Sequence, residues 1–251
     1  MKLISLNTWA GKEFDPLMAY VSTSHADFFC FQEIYSTPTL ATRVGKCYRA
    51  NLFEELAKRL PEHTGYFAGV QEDWCDGSID FEVEVGLAMF VRNGLKINDI
   101  GERFIFGSHN SLLGDNTSMP RNLQYISFNM GGQDYTLAHL HGLWNGRGKT
   151  DTKERLRQSH IIKEFLDQAR GKKILCGDFN LLPETRSLSL IEEDLINLIR
   201  AYDITTTRSS LYLKPLKFAD YTFVSPDVLV EHFVVPQIDV SDHLPMELTF
   251  S

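Results

Sequence analysis

The chain predicts an α/β fold in which two stacked β-sheets are covered by helices. Three observations lead there. Apolar runs of strand length alternate with amphipathic segments of helix length. The middle of the chain carries five strand-like runs with Asn93-Gly94 and Gly131-Gly132 at their joints, dipeptides that supply the positive φ angles of tight turns. Four acid- and amide-bearing strings, Leu6-Asn7-Thr8-Trp9, Phe31-Gln32-Glu33, Gly177-Asp178-Phe179-Asn180 and Ser241-Asp242-His243, end or follow apolar runs. Side chains at strand ends project onto the rim of a sheet core, so Asn7, Glu33, Asp178, Asn180, Asp242 and His243 can meet there.

Taken in order, Lys2–Leu6 reads as a strand and Asp15–Ser22 as a short helix with Pro16 in its first turn. Asp27–Ile34 is nearly continuous in apolar residues, as expected of a strand buried on both faces. Asn51–Leu60 is a helix, with Leu52, Leu56 and Leu60 on one stripe. Gly65–Val70, Val83–Arg92, Leu95–Phe106, Asn122–Met130 and Tyr135–His141 read as one meander of strands. Asp151–Ala169 is the strongest helical pattern, with Asp151 as cap, Glu154 as its partner, and Ile162, Phe165, Leu166 and Ala169 as the buried stripe. Lys173–Cys176 is a buried strand that delivers Asp178 and Asn180. Ser187–Arg200 reads as a helix, Asp220–Val224 as a strand with Val228–Val235 as its partner, and Pro245–Phe250 as the closing strand.

The bounds are those of a globular enzyme: 251 residues, 43% hydrophobic and 23% charged, with no linker-like or low-complexity tract, so one domain over residues 1–251 is expected. No run approaches the ~18 apolar residues of a membrane span, and a cytoplasmic location is expected. Cys30, Cys47, Cys75 and Cys176 lack close spacing, which argues against structural zinc and a disulfide framework. A net charge of −8 argues against a general polyanion binder. The stretch from Trp144 to Arg157 is nevertheless basic, and Arg147, Lys149, Arg200 and Arg208 are candidate contacts to a phosphate backbone.

The residue types suit phosphoester hydrolysis, which needs charge on the equatorial oxygens offset and a water placed in line. Glu33 is a hard oxygen ligand for Mg²⁺ or Mn²⁺, delivered to a rim by the apolar run Phe28–Phe31. Asp178 and Asn180 flank Phe179, so continued strand geometry would point both to one face and the phenyl ring into the core. Such a pair can orient a water. His243 beside Asp242 adds the side-chain type that titrates closest to neutral pH. His139 and His141 alternate onto one face of their strand, and Trp144 can stack on a substrate ring.

The ordered set, with LNxW, QE, HLH, GDFN, DY and SDH spanning Asn7 to His243, resembles the endonuclease/exonuclease/phosphatase superfamily. The resemblance implies a four-layered α/β sandwich, two mainly antiparallel mixed sheets flanked by helices, and divalent-metal-dependent cleavage of a phosphoester. It implies that Asp178 activates or orients the water, that Asn180 positions it, and that Asn7 sits beside the metal as ligand or holder of a bound oxygen. Asp220 would orient His243, and His243 would stabilise phosphate oxygens or act as base. Asp242 would make a second metal contact, and His139, which aligns best with the family's usual histidine, would be the phosphate or leaving-group contact. His141, Trp144 and Arg147 complete the expected substrate-binding set, and Arg155 and Gln158 are expected to brace the core.

The expected reaction is phosphodiester cleavage, with nucleic acid, DNA or RNA, as the favoured substrate. A small-molecule or lipid-headgroup phosphatase or phosphodiesterase is the alternative, and a catalytically silent binding module a minor one. Mg²⁺ is the default metal, and no obligate protein partner is evident.

Overall fold

The computed structural model describes residues 1–45, 48–74, 79–112 and 119–251; Cys47 and Cys75 lie outside them. The chain opens with β1 (Lys2–Asn7), a 3₁₀ turn (Trp9–Gly11), α1 (Phe14–Thr23) and β2 (Phe28–Ser36). A two-strand pair, β3 (Arg43–Val44) and β4 (Tyr48–Arg49), precedes α2 (Leu52–Arg59). Five long strands follow: β5 (His63–Glu72), β6 (Glu84–Arg92), β7 (Ile97–Phe106), β8 (Arg121–Met130) and β9 (Gln133–His141). Then come α3 (Lys153–Gln168), β10 (Lys172–Asp178), α4 (Arg186–Glu192), β11 (Ile196–Asn197) and α5 (Leu198–Ala201). The chain closes with β12 (Asp220–Val224), β13 (Val230–Val234) and β14 (Met246–Phe250).

Two six-stranded sheets result, ordered β13-β14-β1-β2-β6-β5 and β11-β12-β10-β9-β8-β7. Each has one parallel pair near its middle, β1 with β2 and β9 with β10, flanked by antiparallel neighbours. Strand β2 shows how the layers form. Phe28 and Cys30 enter the core shared with the second sheet, whereas Phe29 and Phe31 pack on Leu17, Met18, Leu52 and Leu56 of α1 and α2. The period of two thus serves two apolar interfaces, as the unbroken apolar run predicts. On the far side, Ile162 and Leu166 of α3 and Leu188 and Ile191 of α4 cover the second sheet, which makes a four-layered α/β sandwich.

Four expectations are corrected. The central strands are not one meander: β5 and β6 belong to the first sheet and β7–β9 to the second. Asn93-Gly94 therefore does not close a hairpin but redirects the chain between sheets, while Gly131 and Gly132, at φ 59° and 82°, do close the tight β8–β9 hairpin. Val230–Val234 pairs with β14 rather than with Asp220–Val224, whose open side is taken by β11. The helix expected over Ser187–Arg200 is broken, because the Asn197 side chain accepts from Ile199 N and starts α5 afresh. At α3 the cap is Thr152, which accepts from Arg155 N. Asp151 instead accepts from Arg186 N, Ser187 N and Ser187 Oγ, tying down the start of α4.

The sheet topology places the functional rim. Parallel strands β1, β9 and β10 end at Asn7, His141 and Asp178, and the antiparallel strands β8 and β12 begin at Arg121 and Asp220. All of these ends lie on the same edge of the sandwich.

Candidate active site

At that edge lies a pocket of about 290 Å³ whose floor holds Glu33, His141, Asp178, Asn180, Asp242 and His243. Glu33 arrives through a break in β2. The register jumps from Phe31 opposite Ala88 to Ile34 opposite Gly86, so Gln32 and Glu33 together face Leu87, and Glu33 takes φ 58°. The bulge sends the two side chains apart: Gln32 turns into the interior and Glu33 into the pocket. A left-handed conformation in a residue with a Cβ is a strained one, held here by the surrounding sheet.

Asn7 ties the first sheet to the second. Its Nδ2 donates to Glu33 Oε1 at 3.0 Å and to Asp178 Oδ2 at 3.2 Å, while its Oδ1 accepts from Trp9 N. Asn7 thus holds the two carboxylates in place, and its Oδ1, with one of two lone pairs engaged by Trp9 N, faces the same end of the sandwich. Strand geometry does not continue past Asp178. Asn180 sits at φ 53° and its N–H donates to Asp178 Oδ1, an Asx turn that still leaves both side chains on the pocket and Phe179 in the core. The Asn180 amide donates to Gly142 O, beside the end of β9.

His243 Nδ1 lies 2.8 and 2.9 Å from the two Asp220 oxygens, as the resemblance implies. Its Nε2 lies 3.6 Å from Asp178 Oδ2 and close to Arg208 Nη1, and Arg208 also pairs with Asp242 at 3.2 Å. His141 Nε2 lies 3.7 Å from the same Asp178 oxygen, and its Nδ1 faces Arg121 Nη1 at 3.1 Å. Burial alone would raise the Asp178 carboxyl, but His243, Lys149 and Arg208 together hold it well below the usual carboxylate range. Burial, then Arg121, push His141 down, so it stands neutral.

His139 is displaced from its expected role. It lies wholly between the sheets, where Nδ1 faces Gln32 Nε2 at 3.2 Å and Nε2 faces Gln124 Oε1 at 2.8 Å. Gln124 in turn donates to Tyr66 O and Gln32 to Cys30 O, so a polar chain crosses the core with a neutral imidazole in it, pushed to about 3 by burial. His141, one period on, takes the pocket position. Trp144 lines the pocket as expected, whereas Arg147 is exposed and outside it. Arg200 pairs with Glu192 and lies outside as well.

Arg121 is a pocket residue, as are Lys149 and Arg208. Arg155 and Gln158 do brace: Arg155 donates to Leu143 O, Gly148 O and Thr150 O, and Gln158 accepts from Leu143 N, which fixes the segment carrying Trp144 and Lys149. The signal for Arg121 was a charge at the first position of a strand whose next apolar positions are buried. Trp9, Tyr35, Tyr48, Trp74 and Tyr212 complete an aromatic wall.

The residues fit a hard divalent cation. Glu33 is pushed up by burial and by Asp242, against the hydrogen bond from Asn7, which is the signature of carboxylates awaiting a positive charge. Asp242 Oδ1 is buried without a hydrogen-bond partner. Asp178, Asp220 and His243 also bring donor atoms within 4.8 Å of one another. That trio is better read as a hydrogen-bonded relay, since His243 Nδ1 is already committed to Asp220. Glu33 and Asp242 are the carboxylates that could hold a cation.

A sequence profile of the Endonuclease/Exonuclease/phosphatase family matches residues 4–243. No curated protein matches the chain. Among solved structures, the mannosyl-6-phosphatase Bt3783 of Bacteroides thetaiotaomicron VPI-5482 superposes with a TM-score of 0.73 at 17% identity, covering 100% of this chain and 99% of that one. A Bacteroides thetaiotaomicron endonuclease/exonuclease/phosphatase family protein gives 0.74 at 18% identity, covering 100% and 94%. A humanized D. rerio TDP2 gives 0.68 at 17% identity, covering 100% and 98%. At such identities the likeness shows the fold. Together with the profile match over nearly the whole length, it establishes that the chain belongs to the endonuclease/exonuclease/phosphatase family.

Proposed function

We propose that this protein is a divalent-metal-dependent phosphoesterase that hydrolyses a small phosphate ester inside the pocket by in-line attack of water. The convergence of Asn7, Glu33, Asp178, Asn180, Asp220 and His243 at one end of the sandwich carries the reading. Family membership supports phosphoester chemistry, and one structural neighbour is named as a mannosyl-6-phosphatase.

Held by Glu33 and Asp242, a divalent ion would supply Lewis-acid polarisation of the phosphoryl group, with Mg²⁺ or Mn²⁺ suited to the oxygen donors. Asp178, kept ionised by its neighbours, accepts a hydrogen bond from the attacking water and sets its direction. Asn180 holds that carboxylate through its backbone N–H. His243, with Nδ1 held by Asp220, presents Nε2 to the same space and exchanges the proton. His141 offers its Nε2–H to the phosphoryl oxygens, because its Nδ1 accepts from Arg121.

A small substrate suits the site better than the nucleic acid expected from sequence. The pocket volume of about 290 Å³ sits at the low end of small-molecule sites. Of the four cations expected to contact a nucleic-acid backbone, Lys149 and Arg208 are buried in the pocket wall, whereas Arg147 points to solvent and Arg200 is engaged by Glu192, so no exposed basic track leads to the pocket among these four. A panel of small phosphate esters, abasic DNA and single-stranded DNA with Mg²⁺ or Mn²⁺ tests the reading. Small-ester turnover that falls roughly 10²–10⁴-fold in Asp178→Asn is the expected result. Faster cleavage of either DNA would make the protein a nuclease, and no turnover of any substrate would make it a silent binder.

A further inference from the structure

Arg121, Lys149 and Arg208 reach the pocket from three separate segments: the start of β8, the loop between β9 and α3, and the loop ahead of β12. All three are more than nine-tenths buried, with 8%, 2% and 9% of their surface exposed. Arg208 is paired with Asp242 at 3.2 Å. Among the described residues neither Arg121 nor Lys149 has a carboxylate partner. Arg121 spends one N–H on the neutral ring of His141, and its Nε has no partner. Lys149 Nζ makes one long bond, 3.4 Å to Phe218 O, and stands 5.9 Å from the Tyr212 ring.

Burying an unpaired cation is strongly unfavourable, and a fold that keeps two of them beside one cavity is built for an anion that arrives from outside. The strain of the arrangement is visible at Lys149, whose ammonium burial pushes down to about 8. Arg121 feels the charges of Glu33 and Asp178, and Lys149 those of Asp178, Asp220 and Asp242, none of them within ion-pair distance, so both cations border the space where the attacking water is set.

The number of these cations bears on the kind of ester. A phosphate monoester carries about −1.5 to −2 charges near neutral pH, whereas a diester carries one and puts a second, uncharged ester oxygen in place of a charged one. Such an oxygen and its carbon substituent would leave a buried cation unpaired. Resting on the phosphoesterase reading above, we propose that the substrate is a phosphate monoester and that Arg121 and Lys149 are the specificity-determining residues that receive its second negative charge. In the reaction the water oxygen bonds to phosphorus and the bond from phosphorus to the alcohol oxygen breaks. The water's proton passes to the site base and the alcohol leaves protonated, with inorganic phosphate as the other product.

The test compares p-nitrophenyl phosphate with methyl p-nitrophenyl phosphate, which share a leaving group and differ by one charge, on the wild-type protein with Mg²⁺ or Mn²⁺. A kcat/KM at least tenfold higher for the monoester is expected. In Lys149→Met and Arg121→Met the monoester should lose far more than the diester, so that the ratio falls at least fivefold. Inorganic phosphate should raise the melting temperature of the wild type and have less effect on either variant. A wild-type ratio at or below one, or a ratio unmoved in folded variants, overturns the proposal while the phosphoesterase reading stands. Turnover of neither ester removes both. The wild-type comparison needs no variant, so a variant that fails to fold leaves the test intact.

Discussion

His139 and His141 sit two positions apart on β9 and face the same side, yet one lies in the polar seam between the sheets and the other in the pocket. Substitution should separate them. His139→Leu takes the imidazole partner from Gln32 Nε2 and Gln124 Oε1 inside the core, and urea unfolding should show a loss of about 1–3 kcal/mol, with kcat of the folded protein within about twofold of wild type. His141→Gln should leave the melting temperature nearly unchanged and lower kcat by roughly tenfold or more. Lys149 makes the opposite trade. Its folded pKa, about 8, lies below the ordinary lysine value, so the unfolded chain binds more protons between the two and stability rises with pH across that window. Removing the charge should therefore help the fold: Lys149→Met is expected to raise the melting temperature by a few degrees at pH 7 while activity on the substrate drops. An unchanged or lower melting temperature would mean that the buried ammonium is offset by interactions other than those seen here.

Among the elements, the junction of β9 and β10 has little room. Gly142 N donates to Asp178 O at 2.6 Å, and a Cβ on Gly142 would meet Phe179 O at 2.3 Å, a backbone atom that cannot step aside. Gly142→Ala is expected to displace the Asp178–Asn180 turn, costing stability and activity together, as a melting curve and kcat on one preparation would reveal. At α3 the cap matters less to chemistry: Thr152→Ala should cost about 1 kcal/mol in chemical denaturation and leave kcat within twofold. Most strands were legible from their apolar period, including β2 with its two apolar faces. The bulge at Gln32 and Glu33 was not, because residue types report burial and a two-against-one register depends on the partner strand.

For the whole molecule, the rim joins the ends of both sheets, and Glu33 and Asp242 meet there, each raising the cost of the other's charge, with Arg208 paired to Asp242. A divalent cation that binds the folded form alone stabilises it by mass action. Mg²⁺ or Mn²⁺ at millimolar concentration should raise the melting temperature of the wild type, and the increment should largely vanish in Glu33→Gln. That variant should itself melt no lower than wild type without metal, since a buried repulsive charge has been removed. A full metal-dependent shift in Glu33→Gln would place the ion elsewhere. No helix among the described residues is long and apolar enough to cross a membrane.

The order of apolar runs, turn dipeptides and acid-bearing strings was sufficient to predict a layered α/β sandwich and to name Glu33, Asp178, Asn180, Asp242 and His243 as rim residues, with Asp220 supplied by the family resemblance, because burial leaves a period and strand ends leave polar punctuation. The assignment of strands to sheets, the choice of His141 over His139, and the recruitment of Arg121 and Lys149 were decided by the tertiary structure. Each depends on what lies opposite a residue in space. Two sheets packed face to face turn one histidine inward to a pair of glutamines, and the meeting of five strand ends converts scattered charges into a shared electrostatic field.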